Sequence, residues 1–185
     1  MKIACIGLGN MGGAIAQRIL HAKYDLTVWN RTATKMGPLI DLGAKGARTA
    51  GEAASEADVV ITNLMDDPAV LEMLDADDGI LSSMKVGGVH ICTSTISPHC
   101  AERLTSIHEA HRSHYISGPI VGRPDTVAAG KAISYIGGNP AAIDIIAPVC
   151  RTYSAQVTVV SDRPCVANYM KLAINYNTIS TAELI

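Results

Sequence analysis

Charge, aromatic rings and long apolar runs are all scarce in this 185-residue chain, and each shortage closes a class of function. Only 17% of the residues are charged, 15 basic against 17 acidic, for a net charge of −2. No broad positive field exists to attract a phosphate backbone, so nucleic acid is not an expected partner. No apolar run approaches the roughly 20 residues a bilayer-spanning helix needs, so no membrane partner is expected either. The N-terminus passes from Met1-Lys2 straight into Ile3-Ala4-Cys5-Ile6-Gly7, which leaves no room for a signal peptide. The five cysteines (5, 92, 100, 150 and 165) are odd in number, scattered and free of any CxxC pair. They read as buried thiols in a reducing cytoplasm, not as a disulfide framework or a metal site. Aromatic residues make up 4% of the chain and hydrophobic ones 48%, a composition that argues against disorder. The length suits one domain, with at most a fragment of a second, and can bury a sizeable core.

Short apolar runs recur, each followed by a helix signal. Lys2–Ile6, Asp25–Asn30, Asp58–Leu64 and Gly88–Cys92 read as strands, and the last two are nearly continuous in apolar residues, as strands buried on both faces are. Asp67-Pro68, Ser97-Pro98 and Asn139-Pro140 each pair a capping side chain with a proline suited to the first helical turn. Strand then capped helix, repeated, predicts βαβ units and a doubly wound, mostly parallel α/β sheet. From Arg163 to Ile185 the spacing predicts one long helix whose apolar residues (Val166, Met170, Leu172, Ala173, Ile174, Ile179, Leu184, Ile185) do not hold to a narrow stripe. It ends without a glycine cap, a basic last turn or a proline. The expectation is residues 1–161 as one domain and 162–185 as a helix leading toward a helical domain or a second copy of the chain; the alternative is an ordinary C-terminal helix packed on its own domain.

Gly7-Leu8-Gly9-Asn10-Met11-Gly12 is a GxGxxG run set between the first strand and the first helix. Gly7 permits the tight turn, Gly9 admits a pyrophosphate close to the backbone, and Gly12 lets the helix pack tightly. The helix N-terminus adds amides and the positive end of its dipole. An acid at the end of the second strand would accept hydrogen bonds from a free ribose diol. This chain instead has Asn30-Arg31-Thr32 with Lys35 close behind, a set suited to a 2′-phosphate, so NADP is the expected cofactor.

With these residues in place the chain resembles the β-hydroxyacid dehydrogenases, the group of 3-hydroxyisobutyrate and 6-phosphogluconate dehydrogenases, to which imine reductases are related. The resemblance implies a Rossmann-type domain and covers nearly the whole chain. Its first motif, GLGxMG, is the phosphate loop itself. Its second, STxxP, stands as Ser94-Thr95-Ile96-Ser97-Pro98. The resemblance implies that Ser94 holds a substrate carboxylate and that Thr95 lies near the nicotinamide, with Leu64 and Met65 among the cofactor contacts. The acid that usually leads this motif is Cys92 here. The third motif, a glycine-rich substrate segment, corresponds to Pro119–Gly130, where Val121, Gly122 and Arg123 stand for serine, glycine and glycine. The fourth is Lys171-Leu172-Ala173-Ile174-Asn175, whose lysine and asparagine share a helical face. By resemblance Lys171 is the general acid/base at the substrate oxygen and Asn175 stands beside it. Imine reductases commonly lack that lysine, so a carbonyl or hydroxyl substrate is favoured. The helical domain typical of the family does not follow in this chain.

Three rival constellations carry less. His108, His111 and His114 follow i, i+3, i+6 on a helix of exposed types and read as a solvated face, with no metal expected. Cys92 has no positioned base and reads as a small buried thiol. Asp66 and Asp67 read as helix caps. The leading function is therefore an NADP-dependent oxidoreductase acting on a small hydroxy acid or aldehyde. The alternatives are an imine reductase-like enzyme or a cofactor-binding module without chemistry of its own.

Overall fold

The computed structural model describes residues 1–182; Leu184, Ile185 and the Ile179 side chain, cited above, lie outside that description. The strands are β1 (Lys2–Ile6), β2 (Asp25–Trp29), β3 (Lys45–Gly46), β4 (Val59–Thr62), β5 (Val89–Cys92), β6 (His114–Ser117), β7 (Ile120–Val121), β8 (Ala132–Gly138) and β9 (Ser154–Ser161). The helices are α1 (Asn10–His21), α2 (Gly37–Asp41), α3 (Ala50–Ser55), α4 (Asp67–Asp75), α5 (Ile80–Ser83), α6 (Pro98–Ala110), α7 (Pro124–Ala128), α8 (Pro140–Tyr153) and α9 (Pro164–Ala182).

Strands β3-β2-β1-β4-β5-β6 are parallel, so the doubly wound Rossmann-type sheet is as expected. Alternation along each strand feeds two cores. Ile3, Cys5, Val59, Ile61, Val89 and Ile91 pack toward α1 and α8, while Ala4, Ile6, Val60 and Cys92 pack toward α3, α4 and α6. Each fully buried Ile or Val adds about 1.5–3 kcal/mol of transfer free energy. The far edge departs from the simple pattern. Strands β6 and β7 both run antiparallel to β8 in one continuous register, interrupted by Gly118-Pro119, and β9 lies parallel along the other side of β8.

Two of the three predicted caps hold: Ser97 Oγ accepts from Cys100 N–H, and Asn139 Oδ1 accepts from Ala141 and Ala142 N–H. The third shifts by one residue. Asp66, not Asp67, caps α4 by accepting from Ala69 N–H. The Asp67 carboxylate turns sideways and accepts from Ser97 N–H at 2.9 Å and Ser97 Oγ at 2.5 Å, joining the starts of α4 and α6.

Helix α9 divides into two parts. Pro164, Cys165, Ala167, Asn168 and Lys171 are buried against α6, β6 and β8, whereas Tyr169, Met170, Leu172 and Tyr176 are exposed. Among the described residues no helix is long and apolar enough to cross a membrane.

Candidate functional site

The chain leaves β1 toward β2 on one side and later returns to β4 on the other, so the loops after β1 and β4 open a crevice at the carboxyl ends of the strands. Gly7 turns there with φ +87°, and a Cβ on it would strike the Asn63 carbonyl of the neighbouring loop. A Cβ on Gly12 would strike the Gly7 carbonyl, so the tight packing falls between helix and turn. Gly9 is different: nothing lies within 4 Å of where its Cβ would be. It is also the N-cap of α1, with no side chain capping it and no acid in the first turn. The first amides of α1 face open space beside a glycine, which is what a pyrophosphate requires.

Asn30 is spent inside this frame. Its Oδ1 accepts from Leu8 N–H at 2.8 Å and its Nδ2 donates to Thr32 O at 3.0 Å, so it ties the loop after β2 to the phosphate loop. Arg31, Thr32 and Lys35 are exposed and line a cleft of about 220 Å³ with Gly7, Leu64 and Met65. Glu72 of α4 lines the same cleft, a carboxylate that the sequence reading missed because it lies on another element. Asn10 sits exposed at the start of α1 and Met11 half-buried behind it.

The neighbouring loops are pinned together. Ser94 is 3% exposed and its Oγ accepts from Leu64 N–H at 2.8 Å, so this hydroxyl holds the loop after β4. Asn63 Nδ2 donates to Thr93 Oγ1 at 3.0 Å, and Thr93 Oγ1 donates to Thr62 O at 2.8 Å. Thr95 stays exposed. Val121 is half-buried at the end of β7, and Gly122 and Arg123 are exposed beyond it, Arg123 being the N-cap of α7.

Lys171 is 9% exposed, and among the described residues no carboxylate pairs with it. Burial alone lowers its pKa below the ordinary lysine value, easing release of its proton. Asn175, one turn on, is half-buried. The Cys92 thiol is fully buried and burial pushes its pKa up, which suits an inert side chain.

The solvated histidine face needs correction. His108 has no exposed surface and is one link of a buried chain. Thr62 Oγ1 lies 2.9 Å from His90 Nε2, His90 Nδ1 2.9 Å from His108 Nε2, and His108 Nδ1 2.7 Å from Ser113 Oγ. The helix position turned out to face the sheet, where His90 of β5 receives it. Among the described residues no group of three potential ligands could hold a metal ion.

Residues 2–161 match the family described as the NAD binding domain of 6-phosphogluconate dehydrogenase. The chain belongs to that family. It is 41% identical over 184 residues to the uncharacterized oxidoreductase YfjR of Bacillus subtilis, covering 99% of this chain but only 64% of that relative. The structure of Psf3 in complex with NADP+ and 2-OPP is similar with a TM-score of 0.89 and 31% identity, over 94% of this chain and 61% of that one. An imine reductase from Myxococcus stipitatus in complex with NADP+ gives a TM-score of 0.92 at 25% identity, over 98% of this chain and 62% of that one. The chain thus spans less than two thirds of each of these relatives, and the resemblance read from the four motifs stands.

Proposed function

We propose that the protein is an NADP(H)-dependent oxidoreductase acting on a small hydroxy acid or aldehyde. The observation that carries this is Lys171, a buried ammonium with no counter-ion among the described residues, on the helix packed behind the loop that carries Ser94 and Thr95. When bound, the dinucleotide supplies or accepts the hydride. The chain's own residues do the rest. Uncapped amides of α1 and the open space at Gly9 hold the pyrophosphate, and Arg31, Thr32 and Lys35 hold a 2′-phosphate. Lys171 Nζ gives its proton to the substrate oxygen in reduction and takes it back in oxidation, helped by a setting that disfavours its charge. Asn175, on the same face, orients that oxygen.

Three features support companion readings. Val121 and Arg123 in the substrate segment favour an imine reductase-like activity as the second reading, and a cofactor-binding module without turnover is the third. The exposed Tyr169, Met170, Leu172 and Tyr176 support packing of region 163–185 against a helical domain or a second copy in a homodimer. Five free, buried cysteines suit a reducing, cytoplasmic setting.

The test is steady-state screening of the full-length gene product with aldehydes, hydroxy acids and cyclic imines, each with NADPH and NADH. Turnover of a hydroxy acid or aldehyde that drops about 100- to 10,000-fold in Lys171→Ala is the expected result. Turnover of imines alone selects the second reading, and cofactor binding without turnover of any class selects the third.

A further inference from the structure

Asn168 takes no part in the reaction just described, yet only 1% of it is exposed. It lies on α9 three residues before Lys171, so both project from the packed side of the helix. Both ends of its amide are engaged. Oδ1 accepts from Ser117 Oγ at 2.5 Å, and Nδ2 donates to the backbone carbonyl of Ile96 at 3.1 Å. Ser117 ends β6, and Ile96 lies in the crossing after β5, next to Thr95. One side chain thus joins the lysine-bearing helix, the end of a strand and the loop expected to meet the substrate.

The neighbouring buried Ala167 has no side-chain polar group and is held by contact alone. Such contacts resist separation but tolerate a small roll or slide. An amide paired at both ends does not, because hydrogen bonds weaken steeply as their angles degrade. A roll of α9 by about 20° would carry a group roughly 6 Å from the helix axis through about 2 Å. A misplacement of about 1 Å can cost 100-fold in rate.

We infer that Asn168 is a positioning residue: it fixes the roll of α9 and its seat on the Thr93–Ser97 crossing, and so decides where the Lys171 ammonium is held. The inference rests on Lys171 being the proton donor. The structure supports the coupling on geometry, and the lowered pKa of Lys171, caused by burial, gives it a readout independent of turnover.

The experiment compares the full-length protein with Asn168→Leu, Asn168→Ala and Ser117→Ala. Lysines are reductively methylated with a 13C label and titrated by NMR, with Lys171→Arg assigning the signal. In Asn168→Leu the Lys171 signal is expected to titrate closer to an exposed lysine, and kcat to fall about 10- to 100-fold. NADPH affinity should stay within about twofold, because the phosphate loop is untouched. Ser117→Ala, which removes one of the two ties, should shift both readouts in the same direction by less. Wild-type titration and wild-type kcat in folded Asn168→Leu would overturn the inference. Should the position 168 variants fail to fold, an unchanged Lys171 titration in Ser117→Ala overturns it instead. Unimpaired turnover in Lys171→Arg would defeat the proposed mechanism, while the titration arm would still judge Asn168.

Discussion

His90 Nδ1 and His108 Nε2 meet at 2.9 Å with neither ring exposed, a histidine pair closed at its ends by Thr62 and Ser113. Neutral rings complete this chain in either of two tautomeric directions, because each link needs one proton and has one. Burial holds His90 well below the ordinary histidine value, with the neighbouring His108 adding to it. Burial, with His111 and His114 nearby, brings His108 to about 3.

The pair therefore sets an acid limit on stability. Unfolded histidine titrates near 6.5, so above that value both states are neutral and stability is complete. As pH falls from about 6.5 toward 3, the unfolded chain takes up protons that the folded one refuses, at a loss of roughly 1.4 kcal/mol per pH unit for each histidine. Urea unfolding between pH 7 and 4.5 should show this slope, and His108→Gln should make it shallower. An equal slope in the variant would mean that His108 is not held neutral.

The two glycines of the phosphate loop should separate folding from binding. Gly12→Ala drives a methyl into the Gly7 carbonyl, so it should unfold at a markedly lower temperature. Gly9→Ala meets nothing, so its melting temperature should be unchanged while dinucleotide affinity falls at least about tenfold. Calorimetry and cofactor titration on the same two variants check the contrast. Unchanged affinity in Gly9→Ala would remove the pyrophosphate from that space.

Cofactor choice should depend on Arg31. Its Ala variant should lose roughly 10- to 150-fold in NADPH affinity, the worth of a charge-assisted hydrogen bond, with little change for NADH. Glu72→Gln should favour NADPH slightly, since its carboxylate faces the same cleft. Titrations at two ionic strengths check this, because exposed charges are screened. Equal binding of both cofactors by the wild type would refute the preference.

Helix α9 should show two levels of protection. Amides of residues 164–171 should exchange slowly and those of residues 172–182 quickly in the dilute 185-residue chain, following the change from buried to exposed side chains. Sedimentation should show self-association that weakens in a Leu172→Gln, Tyr176→Glu double variant. A strictly monomeric wild type with uniform protection along α9 would contradict both.

Most of the parallel sheet was legible because its signals are local. A strand buried on both faces is mostly apolar, and Val59–Thr62 and Val89–Cys92 are so apart from Thr62 and His90, while glycine at positions 7, 9 and 12 answers to backbone sterics within a few residues. The antiparallel register of β8 was not legible, since pairing partners leave no mark on either strand alone. Asp67 was read as a cap together with Asp66 because two adjacent aspartates offer the same chemistry, and only the approach of Ser97 separates them.

Side-chain identity alone determined the fold class and the glycine turn after β1, each a matter of spacing along one or two elements, while Lys171 was singled out by the family resemblance. Tertiary structure decided what those spacings could not carry. It withdrew Asn30 and Ser94 into loop-to-loop hydrogen bonds, turned His108 from solvent to the sheet, and brought Glu72 into the cleft lined by Arg31 and Lys35. It also set Asn168 between Ser117 and Ile96. The reason is that a polar group's role depends on which partner reaches it once water is excluded, and those partners lie 18 to 72 residues away in sequence.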